Sequence, residues 1–236
     1  MYQADKYNAN RPNSGVTVVP FIFEDNTIKT LIYKRAQDAE VFAGMYCLPN
    51  AIFDINKFDT LEETAAFALM EKTSVKLNHI EQVYTFSGKY IDPRITTENT
   101  TYLSICSSTD ITEVGESKFE KIWMPVDKVL KKELAFNHNE ALLIAYQRLK
   151  AKAEYTPLSA HLLGNSFTIS DFKNVIDILM DITLDNSRFR DRIKKSDVLI
   201  ALENEFKTGS NRPAQLYELN KDYKDYFYPR SMTKSK

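Results

Sequence analysis

The chain has 236 residues, 43% hydrophobic and 27% charged, with a formal charge of −1. This hydrophobic share excludes a disordered chain, and the near-zero charge excludes a wholesale polyanion binder, though a net value hides local asymmetry. The six glycines, well under half the average share of about 7%, stand singly at Gly15, Gly44, Gly88, Gly115, Gly164 and Gly209. Neither a GxGxxG fingerprint nor a GxxxxGK[ST] phosphate loop can therefore be drawn.

Met1 to Gly15 is polar, with Asp5, Lys6 and Arg11, and does not read as a secretory signal. No apolar run approaches the ~20 residues of a membrane helix, so the expectation is a cytoplasmic protein without a membrane partner. Cys47 and Cys106 have no CxxC partner and no companion histidine cluster, and read as reduced, buried thiols.

In chain order, Val16 to Phe23 and Ile28 to Lys34 are apolar, β-branched runs separated by Glu24-Asp25-Asn26-Thr27, which predicts a hairpin. Asp59-Thr60-Leu61-Glu62 fits a capping box with Asp59 as cap and Glu62 reaching back. Behind it Leu61, Ala65, Ala68 and Leu69 recur at helical spacing. Val83 to Phe86 and Thr100 to Cys106 predict strands, and Ile122-Trp123-Met124-Pro125 an edge segment limited by its proline. His138 to Lys152 is an amphipathic helix with Ala141, Leu142, Ala145 and Leu149 on one side. It decays into Ala151 to Pro157, which marks a domain boundary.

Beyond it, Ser166 or Thr168 starts a helix carrying Phe172, Val175, Ile176 and Leu179, and a second helix follows Leu184 with Asp185 or Asn186 as cap. Val198 to Leu202 and Leu216 to Leu219 are strand-like around a polar stretch holding Gly209 and Pro213. Helix, turn, helix and a two-stranded wing outline a winged helix-turn-helix. The predicted domains are 1–155, 156–228 and a tail at 229–236.

Charge separates along this division. From Thr156 onward thirteen Lys and Arg face eleven acidic residues, leaving −3 on the preceding part. In the second helix Phe189 and Ile193 are one turn apart and should pack inward, turning Ser187, Arg190, Asp191 and Lys194 outward with Arg188 and Arg192 at the flanks. A basic helix in this position is where base edges are read near the N-terminus and phosphates are neutralised by Lys and Arg. Asn186, Ser187, Arg188, Arg190 and Lys194 are the candidates, with Lys207, Arg212 and Gln215 from the wing. The competing readings are a solvated helix face and a protein-interaction module.

In the first part, Leu48-Pro49, Asp59 to Ala66 and Glu71-Lys72-Thr73-Ser74-Val75 resemble the Nudix box, GX5EX7REUXEEXGU, whose carboxylates hold Mg²⁺ against a nucleoside diphosphate. The match departs from the pattern. Its loop glycines fall on Asn50 and Ala51, the loop is longer, its first acid falls on Asp59, its Arg-Glu pair on Phe67 and Ala68, its Glu-Glu pair on Glu71 and Lys72, and its last glycine on Ser74. Two unit charges ~4 Å apart interact by roughly 4 kcal/mol at an effective dielectric near 20, so Lys72 would oppose a metal there. The expectation is a domain that has lost metal-dependent hydrolysis, with no catalytic or metal residues and no required cofactor. Lys72 then offers a diphosphate part of the charge that Mg²⁺ otherwise supplies. The alternative is a hydrolase using Glu62, Glu63 and Glu71.

The wider chain, over roughly residues 14 to 220, resembles the Nudix-related transcriptional regulators called the NrtR family. The pieces that carry this are Leu48-Pro49, Thr60-Leu61-Glu62, Glu71-Lys72-Thr73, Asp92-Pro93-Arg94, Leu134 to His138, Phe167-Thr168, Phe189-Arg190 and Arg212 to Tyr217. The resemblance implies a Nudix-like α/β/α sandwich with a mixed sheet (α/β, α+β), followed by a winged helix. It implies a homodimer on a near-palindromic double-stranded operator, acting as a repressor of NAD-related genes and released by ADP-ribose or a related nucleotide; other branches sense sugars. Carried over by position, Arg35, Leu48, Lys72, Asp92, Arg94 and Phe136 are the effector-site candidates. His138 reads as a helix-start residue.

Overall fold

The computed structural model describes residues 11–76, 79–108, 111, 118–207 and 213–221. Strands β1 (Asn13–Glu24) and β2 (Thr27–Lys34) form the expected hairpin. Its two central residues, Asp25 and Asn26, both have positive φ, at 51° and 53°, the conformation in which a two-residue turn matches the strand twist. Lys29 clasps the turn through Glu24 and Asp25 at 2.6 and 2.9 Å.

Two short strands the sequence did not announce follow, β3 (Tyr46–Cys47) on β2 and β4 (Asn50–Ile52) on β1. Helix α1 (Leu61–Thr73) leads to β5 (His79–Asp92) and β6 (Ile95–Ile105). The expected strand at Val83 to Phe86 is the middle of the much longer β5, whose polar ends alternate too weakly to read. Strand β7 (Lys121–Pro125) pairs with β2 and runs into the short helix α2 (Val126–Val129). The mixed sheet runs β3-β2-β1-β6-β5, with β4 and β7 joined at its side.

The capping of α1 is shifted by one residue from the sequence reading. Thr60 is the cap and accepts from the Glu63 N–H, while Glu63 accepts from the Asp59 N–H at 2.8 Å. At the other end Ser74 takes the left-handed conformation, φ 59°, and its N–H closes on Met70. That is the position glycine usually fills, and where the Nudix pattern has one.

Successive residues of β1 point to opposite faces of the sheet. Val16 and Val18 pack with Ala65 and Ala68 of α1 and with Tyr102. On the other face Thr17 meets His138, the first residue of α3 (His138–Tyr155). Helices on both faces of a mixed sheet make this an α/β fold. His138 is fully buried; its Nδ1 accepts the Leu48 N–H at 3.0 Å and its Nε2 lies 3.4 Å from the Thr17 hydroxyl. An imidazole accepting at one nitrogen is neutral there, and burial, aided by the charge of Arg35, pushes its pKa from 6.5 down to about 3.

A 3₁₀ turn (Pro157–Leu163) precedes α4 (Ile169–Met180), α5 (Asn186–Lys194) and the strand pair β8 (Leu199–Lys207) and β9 (Ala214–Leu219). Both wing strands extend into the polar stretch that the sequence left between them. Ala160, Phe167, Phe172, Ile176, Phe189, Ile193 and Val198 form the core of this region. By compactness the chain divides into two units, Met1–Pro20, Thr30–Ser104 and Thr112–Ala145 in one, and Phe21–Lys29, Ile105–Ile111 and Tyr146–Lys236 in the other. The last break of this division falls inside α3. Cys47 and Cys106 are buried and free. Among the described residues no helix is long and apolar enough to cross a membrane.

The buried imidazole sets a pH dependence. Below pH 6.5 the unfolded chain takes up a proton that folded His138 refuses, so stability is fully present above that pH and declines as pH falls toward 3. At pH 5 the loss is about 2 kcal/mol. Urea unfolding of wild type and His138→Gln should show the variant less stable at pH 7 and the gap narrowing by pH 5. A gap independent of pH would contradict it.

Candidate functional site

Two groups of residues hold chemistry, one in each unit. In the second unit α4 opens on a full capping box, Thr168 accepting from the Asp171 N–H and Asp171 accepting from the Thr168 N–H. Asp185 caps α5 by accepting from the Arg188 N–H at 2.8 Å. Phe189 and Ile193 turn inward, Phe189 meeting Phe172 edge to face at 5.9 Å. With that face taken by the core, Asn186, Ser187, Arg188, Arg190 and Lys194 are all exposed, as the helical spacing requires.

Arg190 and Lys194 border a groove of about 400 Å³ that is also lined by Thr168, Ser170, Gln215 and Tyr217. Two cations beside polar hydroxyls and amides suit an anion. Lys207 and Gln215 already have partners within the domain. Lys207 donates to both carboxylate oxygens of Asp171 at 2.9 and 3.2 Å. The Gln215 amide nitrogen donates to the carbonyls of Leu202, Glu205 and Leu216, so its donors are turned into the wing and not outward. Arg212, also expected on this surface, and the tail at 229–236 lie outside the described residues.

In the first unit the guanidinium of Arg35 stands 4.9 Å from the centroid of the Phe136 ring, and its Nε donates to the Val41 carbonyl. Phe42 meets Phe136 edge to face at 4.9 Å. Both phenylalanines have left-handed backbones, φ 53° and 58°, a strained state for bulky residues that clusters at binding sites. Tyr33 and Cys47 lie buried beneath, in one apolar cluster with Phe42, Phe119 and Phe136. Burial pushes the Cys47 thiol up to about 11 and raises the Tyr33 hydroxyl as well, so both stay neutral at physiological pH.

Lys72 reaches this cluster from α1, its ammonium 5.0 Å from the Phe119 ring centroid and 2.8 Å from Glu71. Asp92 and Arg94 form a fork at the β5–β6 turn, with Nε and Nη2 donating at 3.0 and 2.8 Å, and Nη1 of Arg94 lies 3.5 Å from Glu40. The hydrogen bonds of Arg94 hold the Asp92 carboxyl below the usual carboxylate range, and the charge of Arg35 is felt there too. Arg35 and Lys72 thus stand on the faces of Phe136 and Phe119, while Asp92 and Arg94 pair at the β5–β6 turn within reach of the charge of Arg35.

Leu48 does not belong with them. Its side chain is fully buried and its N–H is committed to His138, so it serves the core. Phe42, Phe119, Tyr33 and Glu40 were missed, because nothing in their spacing distinguishes them until the chain folds.

The three acids weighed as metal ligands are otherwise engaged. Glu62 accepts from the Tyr102 hydroxyl at 3.0 Å, Glu63 and not Glu62 completes the helix cap, and Glu71 pairs with Lys72. Among the described residues no three His, Cys, Asp or Glu stand together as a metal-holding group.

Comparison with known proteins matches both regions. Residues 159–219 match the NrtR DNA-binding winged helix domain. The chain is 26% identical over 231 residues, 98% of its length and 90% of the other's, to the ADPR responsive transcriptional repressor NtrR of Acinetobacter baylyi. Shewanella oneidensis NrtR, crystallised with a 27mer DNA, superposes with a TM-score of 0.82 at 29% identity, covering 92% of this chain and 98% of that one. The NUDIX domain of the same Shewanella protein, solved with ADP ribose, gives 0.54 at 26% identity over 63% of this chain and 99% of that one. With a Nudix-like mixed sheet in the first part, a matching NrtR winged helix domain at residues 159–219 and likeness to NrtR over nearly the whole length, the chain is similar to NrtR in both of its parts.

Proposed function

We propose that this protein is a DNA-binding transcriptional repressor that responds to ADP-ribose. The observation that carries the reading is α5, the second helix of the winged fold, which exposes Asn186, Ser187, Arg188, Arg190 and Lys194 together after burying Phe189 and Ile193. Likeness to a repressor and to a structure solved on DNA supports the same conclusion. In this reading Arg188, Arg190 and Lys194 neutralise phosphates while Asn186 and Ser187 approach base edges. The effector domain comprises residues 1–155, the DNA-binding domain 156–228, and 229–236 a tail.

The effector site is the cluster of Arg35, Lys72, Asp92, Arg94 and Phe136. ADP-ribose carries a diphosphate and an aromatic base, and the cluster offers cations and aromatic faces to match. The arrangement acts as a binding site and not as a hydrolase, since Glu62, Glu63 and Glu71 each serve a structural partner. No cofactor is required. The effector releases DNA by preferring the arrangement that does not bind it. A homodimer places two winged helices on half-sites of a near-palindromic operator; its targets are genes of NAD metabolism and its place is the cytoplasm.

The test is a gel shift of the full-length protein on a duplex from its own upstream region, with and without ADP-ribose. A retarded band that ADP-ribose dissolves is expected, and a band indifferent to ADP-ribose removes the effector half of the reading. On that duplex Arg190→Ala should weaken binding by about ten- to a hundredfold and lower the slope of log affinity against log salt by about one; an unaltered slope would take Arg190 off the phosphates. Lys72→Ala should raise the ADP-ribose concentration for half-release about tenfold, the worth of one charge-assisted hydrogen bond. An unchanged midpoint excludes Lys72 from the site.

A further inference from the structure

The wing strands are paired at both ends but not between. Leu199, Ile200 and Ala201 face Leu219, Glu218 and Tyr217, and the ladder resumes only at Phe206 opposite Gln215 and Lys207 opposite Ala214. Residues 202–205 of β8 therefore stand against the single residue Leu216 of β9, with Asn204 turned left-handed at φ 61°. Such a bulge leaves backbone carbonyls without ladder partners. The Gln215 amide nitrogen supplies them, donating to Leu202 O at 2.5 Å, Glu205 O at 3.1 Å and Leu216 O at 3.0 Å. An amide nitrogen has only two hydrogens, so these three acceptors use both of them.

Beyond the bulge the wing is tied down a second time. Lys207 donates to both oxygens of Asp171, and the same carboxylate receives the Thr168 N–H and hydroxyl at the start of α4. Burial works against the charge on Asp171, yet Lys207 and Thr168 hold its carboxyl below the usual carboxylate range.

We propose that Gln215 is a positioning residue for DNA binding: it clamps the β8 bulge so that the wing, anchored to α4 through Lys207 and Asp171, stands as a preset arm beside α5. The proposal rests on the DNA-binding reading and deepens it. A glutamine that reads adenine presents an N–H and a carbonyl oxygen together, and here the N–H donors belong to the wing itself. Setting the arm in advance spares the ordering that DNA would otherwise impose on it. That gain is the same on every sequence, since backbone contacts carry no base information.

The experiment compares full-length wild type with Gln215→Met, which keeps the side-chain stem and removes the donors. Affinity is measured on the upstream duplex and on an unrelated duplex of equal length, and amide hydrogen exchange is followed at residues 202–205. Affinity for both duplexes should fall by the same factor, about five- to tenfold by loss of a bound-state geometry, with faster exchange in the bulge. A fall on the upstream duplex alone makes Gln215 a base reader and overturns the proposal. Unchanged affinity on both, or unchanged exchange, overturns it as well. Asp171→Asn, which can still cap α4 but loses the ion pair, is the second variant. Removing a negative charge should by itself tighten DNA binding, whereas loss of the wing's anchor weakens it on both duplexes, and tighter binding overturns the proposal. Wild type that binds neither duplex defeats the DNA-binding reading itself, and this inference with it.

Discussion

A neutral imidazole buried at the start of α3 holds three parts of the first unit together. His138 accepts the Leu48 N–H and meets the Thr17 hydroxyl, so one ring joins the helix, the centre of β1 and the segment between β3 and β4. Unpartnered, a polar ring in that place would carry a desolvation penalty of several kcal/mol; bonded on both sides it orders the segments that meet there. Its neighbour Phe136 receives Arg35 on its face. The candidate effector cluster is therefore built directly on this buried contact. What lies above the ring inherits the geometry of what lies beneath it.

The carboxylates of α1 each take a structural partner. Glu63 closes the N-terminal cap, Glu62 takes a tyrosine hydroxyl, and Glu71 answers the lysine that follows it. Each acid finds a partner inside the protein. At the other end Ser74 adopts a left-handed turn without being glycine. Left-handed backbone is carried without glycine at Phe42 and Phe136 too, where bulky side chains make it strained.

The second unit solves a different problem, that of displaying charge on a small domain. Its core rests on Phe172, Phe189 and Ile193, and the helix that carries two of these exposes its cations on the opposite side. Asp171 links the pieces, since it closes the cap of α4 and receives Lys207 from β8. One carboxylate thereby serves the helix and the wing.

Much of this was legible in the sequence where chemistry is local. The hairpin turn at Asp25 and Asn26, the inward spacing of Phe189 and Ile193, the outward row from Asn186 to Lys194 and a cap at Asp185 or Asn186 all follow from periodicity and turn preference over a few residues. So did the replacement of the Nudix arginine by Phe67 and of two of its acids by Ala68 and Lys72. Tertiary structure alone decided the rest. It sent Leu48 into the core, moved the cap of α1 from Asp59 to Thr60, lengthened β5 and the wing strands, gathered Phe42, Phe119 and Tyr33 around Arg35 and Lys72, set Glu40 against Arg94, and turned Gln215 inward onto a bulge. The physical reason is common to these cases: each depends on a partner distant in the chain, or on which of several neighbouring polar groups is nearest once the backbone closes, and a one-dimensional pattern carries neither distance.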